Sequence, residues 1–254
     1  MIAMTNPEPY RTATTVDEFR RNLADVRARV ERAASEAGRD PAGIRVLPVS
    51  KTVPEERIRL AYEAGATALG ENKVQEATRK ARALEDLPID WAVIGHLQTN
   101  KAKDVARYAS EFHALDSPRV AEALDRRLQA LGRGMDVFVQ VNTSAEENKY
   151  GLAPAEVADF VSQLPAYTSL RVRGLMTLAE FTTDVERVRG CFRRLRTLRD
   201  ELRHTAPDDV HLDELSMGMS GDYEVAIAEG ATIVRVGQAI FGPRDTPDSA
   251  YWPG

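Results

Sequence analysis

The chain reads as a single (β/α)8 barrel, an α/β fold, with one extra helix in front. Three observations predict this. Eight short apolar runs alternate with amphipathic helical stretches, which implies right-handed βαβ units and a parallel sheet. The length, 254 residues, is that of such a barrel. No Gly-x-Gly-x-x-Gly follows the first strand, where an open dinucleotide-binding sheet would place it.

Each element has a local cause. Residues 1–14 are polar, contain proline and read as a disordered tail; residues 15–254 read as one domain. Thr15 opens the extra helix, with Glu18 completing a capping box and Phe19, Leu23, Val26 and Val30 forming its apolar stripe. Gly38 and Asp40-Pro41 stop it. Arg45 to Lys51 is the first strand, and Pro54 reads as the first residue (N1) of the next helix, which runs to Gly65. Ala66 to Gly70 is a strand and Val74 to Leu84 a helix. Asp90 to Gly95 is a strand, followed by a helix from about Asn100 to Ala109. Glu111 to Asp116 is the fourth strand; Ser117 as N-cap and Pro118 then start a helix carrying Val120, Leu124, Leu128 and Leu131. Asp136 to Asn142 is rich in β-branched residues. A helix over Pro154 to Leu164 leads to the strand Arg171 to Leu178. A long helix from Val185 to Leu202 follows, its many arginines expected to face solvent. Glu214 to Gly218, a helix from Asp222 to Glu229, and the strand Thr232 to Val236 complete the alternation.

Composition narrows the function. Lys and Arg number 34 against 39 Asp and Glu, so the net charge of -5 argues against nonspecific nucleic-acid binding. No apolar run reaches the ~18 residues of a membrane span, and the first residues lack the apolar core of a secretory signal. The one cysteine, Cys191, makes neither an internal disulfide nor a cysteine metal site. These features describe a soluble, cytoplasmic protein with no metal site, and a lone barrel of negative charge is compatible with a monomer.

Active sites of such barrels lie at the C-terminal ends of the strands. Lys51 ends the first strand there. Partial burial would lower its pKa and supply the neutral amine that Schiff-base formation requires; the other reading is a strand-end lysine extended to solvent and paired with Glu71. Ser216 to Asp222 and the turn at Gly237 follow the seventh and eighth strands, where barrels often bind phosphate. Ser220 and Asp222 read as N-caps, and Gly218 and Gly221 would let backbone N–H groups approach an anion; each loop also reads as an ordinary capped turn. Arg235 interrupts an apolar strand and needs a partner: an ion pair with Glu214 or Asp213, or a ligand ring between Lys51 and the phosphate loops. An amine, an anion cradle and an arginine in one barrel point to pyridoxal 5′-phosphate (PLP). A phosphate-binding barrel that uses Lys51 on sugar aldehydes, without PLP, is the other reading of the same residues.

Six stretches then form a pattern: VSKTVPEERI (49–58), GENKVQE (70–76), IGHLQTNK (94–101), RGLMTL (173–178), LSMGMSGDYEVAI (215–227) and VRVGQAIFG (234–242). In this order, from about Thr15 to Gly242, they resemble the YggS/PROSC family of PLP-binding proteins of vitamin B6 homeostasis. The resemblance implies a PLP fold-type III barrel like the N-terminal domain of alanine racemase. It implies that Lys51 carries PLP as a Schiff base and that Asn72 sits near the cofactor. Ser220, with Gly221 beside it and the backbone at Gly237 and Gln238, would hold the phosphate, and Arg235 would face the pyridine nitrogen. Three positions depart from the family's usual residues. Ala92 follows Trp91 where a histidine is usual, Gln238 stands where a hydroxyl residue is frequent, and Lys73 stands where an aromatic is frequent.

Arginine beside the pyridine nitrogen leaves that nitrogen unprotonated and the ring a weak electron sink. Racemases of this fold add a second proton-transfer group from another domain; Tyr150, Tyr223 and Tyr251 read as surface or packing residues, and His113, His204 and His211 as structural or solvated. The expectation is a PLP-holding protein with no assigned catalytic residue and little or no turnover, with PLP-dependent apo-enzymes as recipients. A PLP-dependent amino-acid racemase is the alternative.

Overall fold

The computed structural model describes residues 10–144, 146 and 150–243. Eight strands, β1 (Arg45–Pro48), β2 (Ala68–Glu71), β3 (Asp90–Val93), β4 (Ala109–Leu115), β5 (Met135–Gln140), β6 (Leu170–Met176), β7 (Glu214–Met219) and β8 (Ile233–Val236), form one parallel sheet in the order β1-β8-β7-β6-β5-β4-β3-β2. An isolated parallel bridge between Val49 and Gly70, with Ser50 N–H donating to the Gly70 carbonyl at 3.0 Å, joins β1 to β2 and closes the ring. The fold is the expected (β/α)8 barrel. Apolar strand residues such as Leu47, Leu69, Phe112, Val137 and Val234 are fully buried, as expected of strands covered on both faces.

The helices are α1 (Val16–Glu36), α2 (Glu55–Glu63), α3 (Val74–Ala83), α4 (Ala102–Tyr108), α5 (Pro118–Leu131), α6 (Val157–Gln163), α7 (Val185–Leu202), α8 (Tyr223–Ala228) and α9 (Gln238–Phe241). α1 is the extra leading helix. Glu18 N–H donates to Thr15 Oγ1 at 3.3 Å and Thr15 N–H to Glu18 Oε2 at 3.0 Å, the reciprocal cap read from the sequence, and Phe19, Leu23, Val26 and Val30 are buried. Of the expected tail, residues 1–9 lie outside the described residues. Residues 10–14 pack on the barrel: Ala13 is buried, Arg57 Nε donates to its carbonyl at 2.9 Å, and Tyr10 Oη donates to the Ser220 carbonyl at 3.2 Å.

Local expectations shift in four places. Pro54 is the N-cap of α2, not its first residue. The helix expected from Asn100 begins as a 3-10 turn, Thr99–Lys101, and Ala109, its expected last residue, starts β4. The helix expected over Pro154 to Leu164 is a 3-10 turn, then α6, then a second 3-10 turn over Leu164–Ala166, where Pro165 cannot donate to continue the helix. Finally, the arginines of α7 are not all solvated. Arg189, Arg193 and Arg196 converge on the buried Glu229 carboxylate at 3.3, 3.2 and 3.1 Å, tying α7 to the end of α8.

Candidate functional site

Lys51 follows β1 at the C-terminal mouth and is half-buried. The backbone on both sides of it is gripped. Ser50 Oγ donates to Glu71 Oε1 at 2.6 Å, and the Ser50 carbonyl accepts from Lys80 Nζ at 2.7 Å. Thr52 N–H donates to Glu76 Oε1 at 2.7 Å. Thr52 has φ 66°, the one positive-φ non-glycine residue among those described. A β-branched residue in that region costs about 1–3 kcal/mol and persists only where its surroundings enforce it. Here the enforcing groups meet at Lys80, fully buried, whose ammonium donates to Glu71 Oε1, to the Ser50 carbonyl and to Glu76 Oε1, all at 2.7 Å. Three donors find three acceptors. Glu71, the alternative partner weighed for Lys51, is therefore held by Lys80 and Ser50. Burial raises the pKa of its carboxyl, and Lys80 opposes that rise.

Asn72 follows β2 and is half-buried. Its backbone carbonyl and its Oδ1 occupy the place a side chain at Gly95 would need, so only glycine there lets the ends of β2 and β3 meet. Ala92, where the family usually has histidine, is buried within β3.

The loops after β7 and β8 come together as expected: Gly237 N–H donates to Ser220 Oγ at 3.2 Å. Gln238 opens α9, in which the Ile240 and Phe241 N–H groups donate to the Gly237 carbonyl at 3.0 and 2.9 Å. The glycines divide differently from the expectation. Gly218 has φ 93°, and a Cβ there would lie 2.6 Å from Ala226 Cβ and 2.9 Å from Tyr223 Cα, so it lets β7 lie against α8. Gly221 is exposed, with no atom within 4 Å of where its Cβ would sit. Ser220 does not cap α8. Asp222 holds the N-cap position, but its Oδ1 accepts from Met219 N–H at 2.5 Å and so ties the turn. Burial pushes the Asp222 carboxyl up to about 6, against the Met219 hydrogen bond and the positive charge of Arg235.

Arg235 is buried on β8. Nη1 donates to Ser216 Oγ and Nη2 to the Thr177 carbonyl, both at 2.8 Å. The ion pair considered with Glu214 or Asp213 is not formed; Asp213 pairs with Arg203 at 3.0 Å instead. Burial lowers the guanidinium to about 10, with Asp222 opposing, so it is still a cation at neutral pH. Lys51, Asn72, Arg235 and the Ser220–Gly237 pair thus stand on or just after β1, β2, β8 and β7, four consecutive strands of the ring.

Sequence reasoning missed Lys80. With Glu76 at i−4 it reads as a surface helix pair, and no local signal separates that from burial. It also set His113 aside as mid-strand. Glu111 and His113, two apart on β4, share a face and meet at 2.7 Å, which strand periodicity alone could have shown. Tyr150 is exposed and stacks on His96 with ring centroids 4.1 Å apart, and His96 Nδ1 lies 3.6 Å from Asp116 Oδ2. Tyr223 is buried under the Arg29 guanidinium, while Tyr251 lies outside the described residues. His204 and His211 are exposed.

A strand-end lysine, a serine–amide pair and a buried arginine gather on one parallel barrel. Residues 16–245 match the family model of the alanine racemase N-terminal domain. A Pseudomonas aeruginosa protein named pyridoxal phosphate homeostasis protein is 44% identical over 227 residues, covering 88% of this chain and 95% of that one. Among solved structures, a Bifidobacterium adolescentis protein of unknown function superposes with a TM-score of 0.83 at 34% identity, over 91% of this chain and 99% of that one. The Synechococcus elongatus protein PipY, solved with PLP bound, gives a TM-score of 0.74 at 38% identity, over 84% of this chain and 100% of that one. The chain belongs to the pyridoxal phosphate homeostasis protein family, within the alanine racemase N-terminal-domain group.

Proposed function

We propose that this protein binds PLP at the barrel mouth and holds it on Lys51 as part of vitamin B6 homeostasis. The observation that carries the reading is the placement of amine, arginine and anion cradle on four consecutive strands, supported by the PLP-bound relative PipY and by the names of the relatives. When bound, PLP supplies an aldehyde conjugated to an electron-withdrawing pyridine ring. Lys51 Nζ would supply the amine for condensation with that aldehyde, which releases water and needs no oxidant or reductant. Ser220 Oγ and the Gly237 and Gln238 amides would hold the phosphate, Gly221 would leave the approach open, and Asn72 would flank the ring. Arg235, able only to donate, would offer an N–H to the pyridine nitrogen, which would then carry no proton of its own. That favours holding over turnover. The same reading assigns PLP-dependent apo-enzymes as recipients and a cytoplasmic monomer as the working form. Among the described residues no helix is long and apolar enough to cross a membrane.

The racemase alternative needs a proton-transfer group opposite Lys51. His96, 3.6 Å from Asp116 and stacked on Tyr150, is the candidate for that role. Solvent deuterium entering the α-position of an amino acid at a rate lost in His96→Gln would favour it. The main reading is tested by incubating the protein with PLP, reducing with borohydride and mapping the modified residue. A label on Lys51 supports it; no label, or a label on another lysine, overturns it.

A further inference from the structure

The barrel interior holds a polar chain that leads to Arg235 and whose other members the proposed function does not use. Arg45 on β1 donates twice to Glu111 on β4, Nη1 to Oε1 and Nη2 to Oε2, each at 2.7 Å. Glu111 Oε2 lies 2.7 Å from His113 Nε2, and His113 Nδ1 lies 2.9 Å from Ser216 Oγ on β7. Ser216 Oγ in turn accepts from Arg235 Nη1 at 2.8 Å. In the sheet, β1 is not next to β4, nor β4 next to β7, so these bonds cross the inside of the barrel. His113 and Ser216 are fully buried, and the imidazole packs on the Phe138 ring with centroids 4.2 Å apart.

Donor and acceptor rules leave this chain one direction. A guanidinium only donates and a carboxylate only accepts. Hydrogen bonds and charge from His113 and Arg45, working against burial, hold the Glu111 carboxyl down at about 2, so it is a carboxylate at any ordinary pH. His113 Nε2 must therefore carry a hydrogen. The charges facing the imidazole are Glu111, which favours its protonation, and Arg235 and Arg45, which oppose it; burial dominates and lowers its pKa. The neutral ring has one N–H, so Nδ1 accepts and the Ser216 hydroxyl must point its hydrogen at Nδ1. The lone pairs of Ser216 are then presented to Arg235. Reversing any link would leave a buried polar group unpaired, which costs about 1–3 kcal/mol.

We infer that Glu111 and His113 are positioning residues for Arg235: acting through Ser216, they fix its guanidinium in one rotamer with its remaining N–H groups turned to the mouth. The consequence for PLP rests on the proposed role of Arg235; the direction of the chain does not.

Two arms test this and fail separately. In the apoprotein, nitrogen NMR of 15N-histidine, assigned with His113→Gln, reads the tautomer. The inference expects His113 neutral with Nδ1 bare; a protonated Nδ1 overturns it. In the PLP-loaded protein, His113→Leu should displace the absorbance band of the Lys51-bound vitamer and shorten its retention several-fold, and Ser216→Ala should do the same. His113→Gln should restore both, because its amide presents a donor and an acceptor in the same sense. Combining His113→Leu with Ser216→Ala should add nothing. A loaded His113→Leu protein with an unchanged band and retention overturns the inference, and so does a Ser216→Ala protein with both unchanged, which also covers the case in which the leucine variant does not fold. If neither the parent nor any variant takes up PLP, the cofactor reading fails while the NMR arm still decides the chain.

Discussion

Replacing Lys80 by methionine removes one positive charge from the interior and keeps most of the side-chain volume. The ammonium bonds three groups at 2.7 Å: the Ser50 carbonyl, Glu71 Oε1 and Glu76 Oε1. In Lys80→Met, Glu71, only 1% exposed, keeps its carboxylate without a counter-ion. Breaking a buried pair by deleting one partner costs ~3–5 kcal/mol. At about 2–4 °C per kcal/mol for a chain of this size, the midpoint of thermal unfolding should fall by roughly 6–20 °C. The sign with pH follows from Glu71. Its folded pKa is already raised by burial and rises further without Lys80. The ionised group then opposes folding above its unfolded value and not below it, so the loss shrinks as the pH drops toward that value. Adding Glu71→Gln should return most of the lost stability at neutral pH. Circular dichroism melts of the single and double variants at two pH values supply the data. A midpoint within about 2 °C of the parent, or a loss that grows toward acid pH, refutes the idea that Lys80 neutralises Glu71.

Other outcomes follow from the same geometry. Lys51→Ala should abolish the PLP-dependent absorbance band and the borohydride label while leaving the thermal midpoint unchanged; a persisting band would remove Lys51 from its role. Ser220→Ala should weaken PLP retention by ~1.5–3 kcal/mol, the worth of one hydrogen bond to a charged group, or roughly 10- to 150-fold in affinity by titration; equal affinity would place the phosphate elsewhere. Glu111 has its carboxyl lowered from 4.5 to about 2, so its contribution of ~3 kcal/mol is present above pH 4.5 and lost as the pH falls toward 2. Glu111→Gln should be less stable at neutral pH and show a flatter acid limb in urea unfolding; an unchanged limb would mean that other carboxylates control it. Gly218→Ala forces a side chain against Ala226 and Tyr223 at positive φ and should destabilise by more than ~1 kcal/mol in the same assay.

The fold was legible because its signals are local and repeated. Capping at Thr15, proline after Ser117 and β-branched runs such as residues 136–142 each report on a short stretch, and the alternation adds them into a barrel. The mouth residues Lys51, Ser220 and Arg235 were legible because barrel geometry says where strand ends gather. Their partners were not. That Arg235 bonds Ser216 and Thr177 instead of Glu214 or Asp213 depends on which side chains face inward at one level of the ring, and strand order and stagger fix that. Lys80 was hidden for a related reason. Helical spacing shows that it neighbours Glu76, but only the packing of α3 on the barrel brings Glu71 and Ser50 within reach. Gly218 and Gly221 looked alike in sequence and differ in space, one pressed against a helix and one open.

The bridge between Val49 and Gly70 carries one last implication. Where the other seams of the cylinder are laced by runs of amide hydrogen bonds, this one is fastened chiefly by side chains that meet on a buried ammonium. A backbone lacing is indifferent to side-chain replacement and to acidity; a side-chain clasp responds to both. Deuterium uptake should therefore begin along this seam, and Lys51, the residue proposed to hold the vitamer, directly follows Ser50 of the clasp.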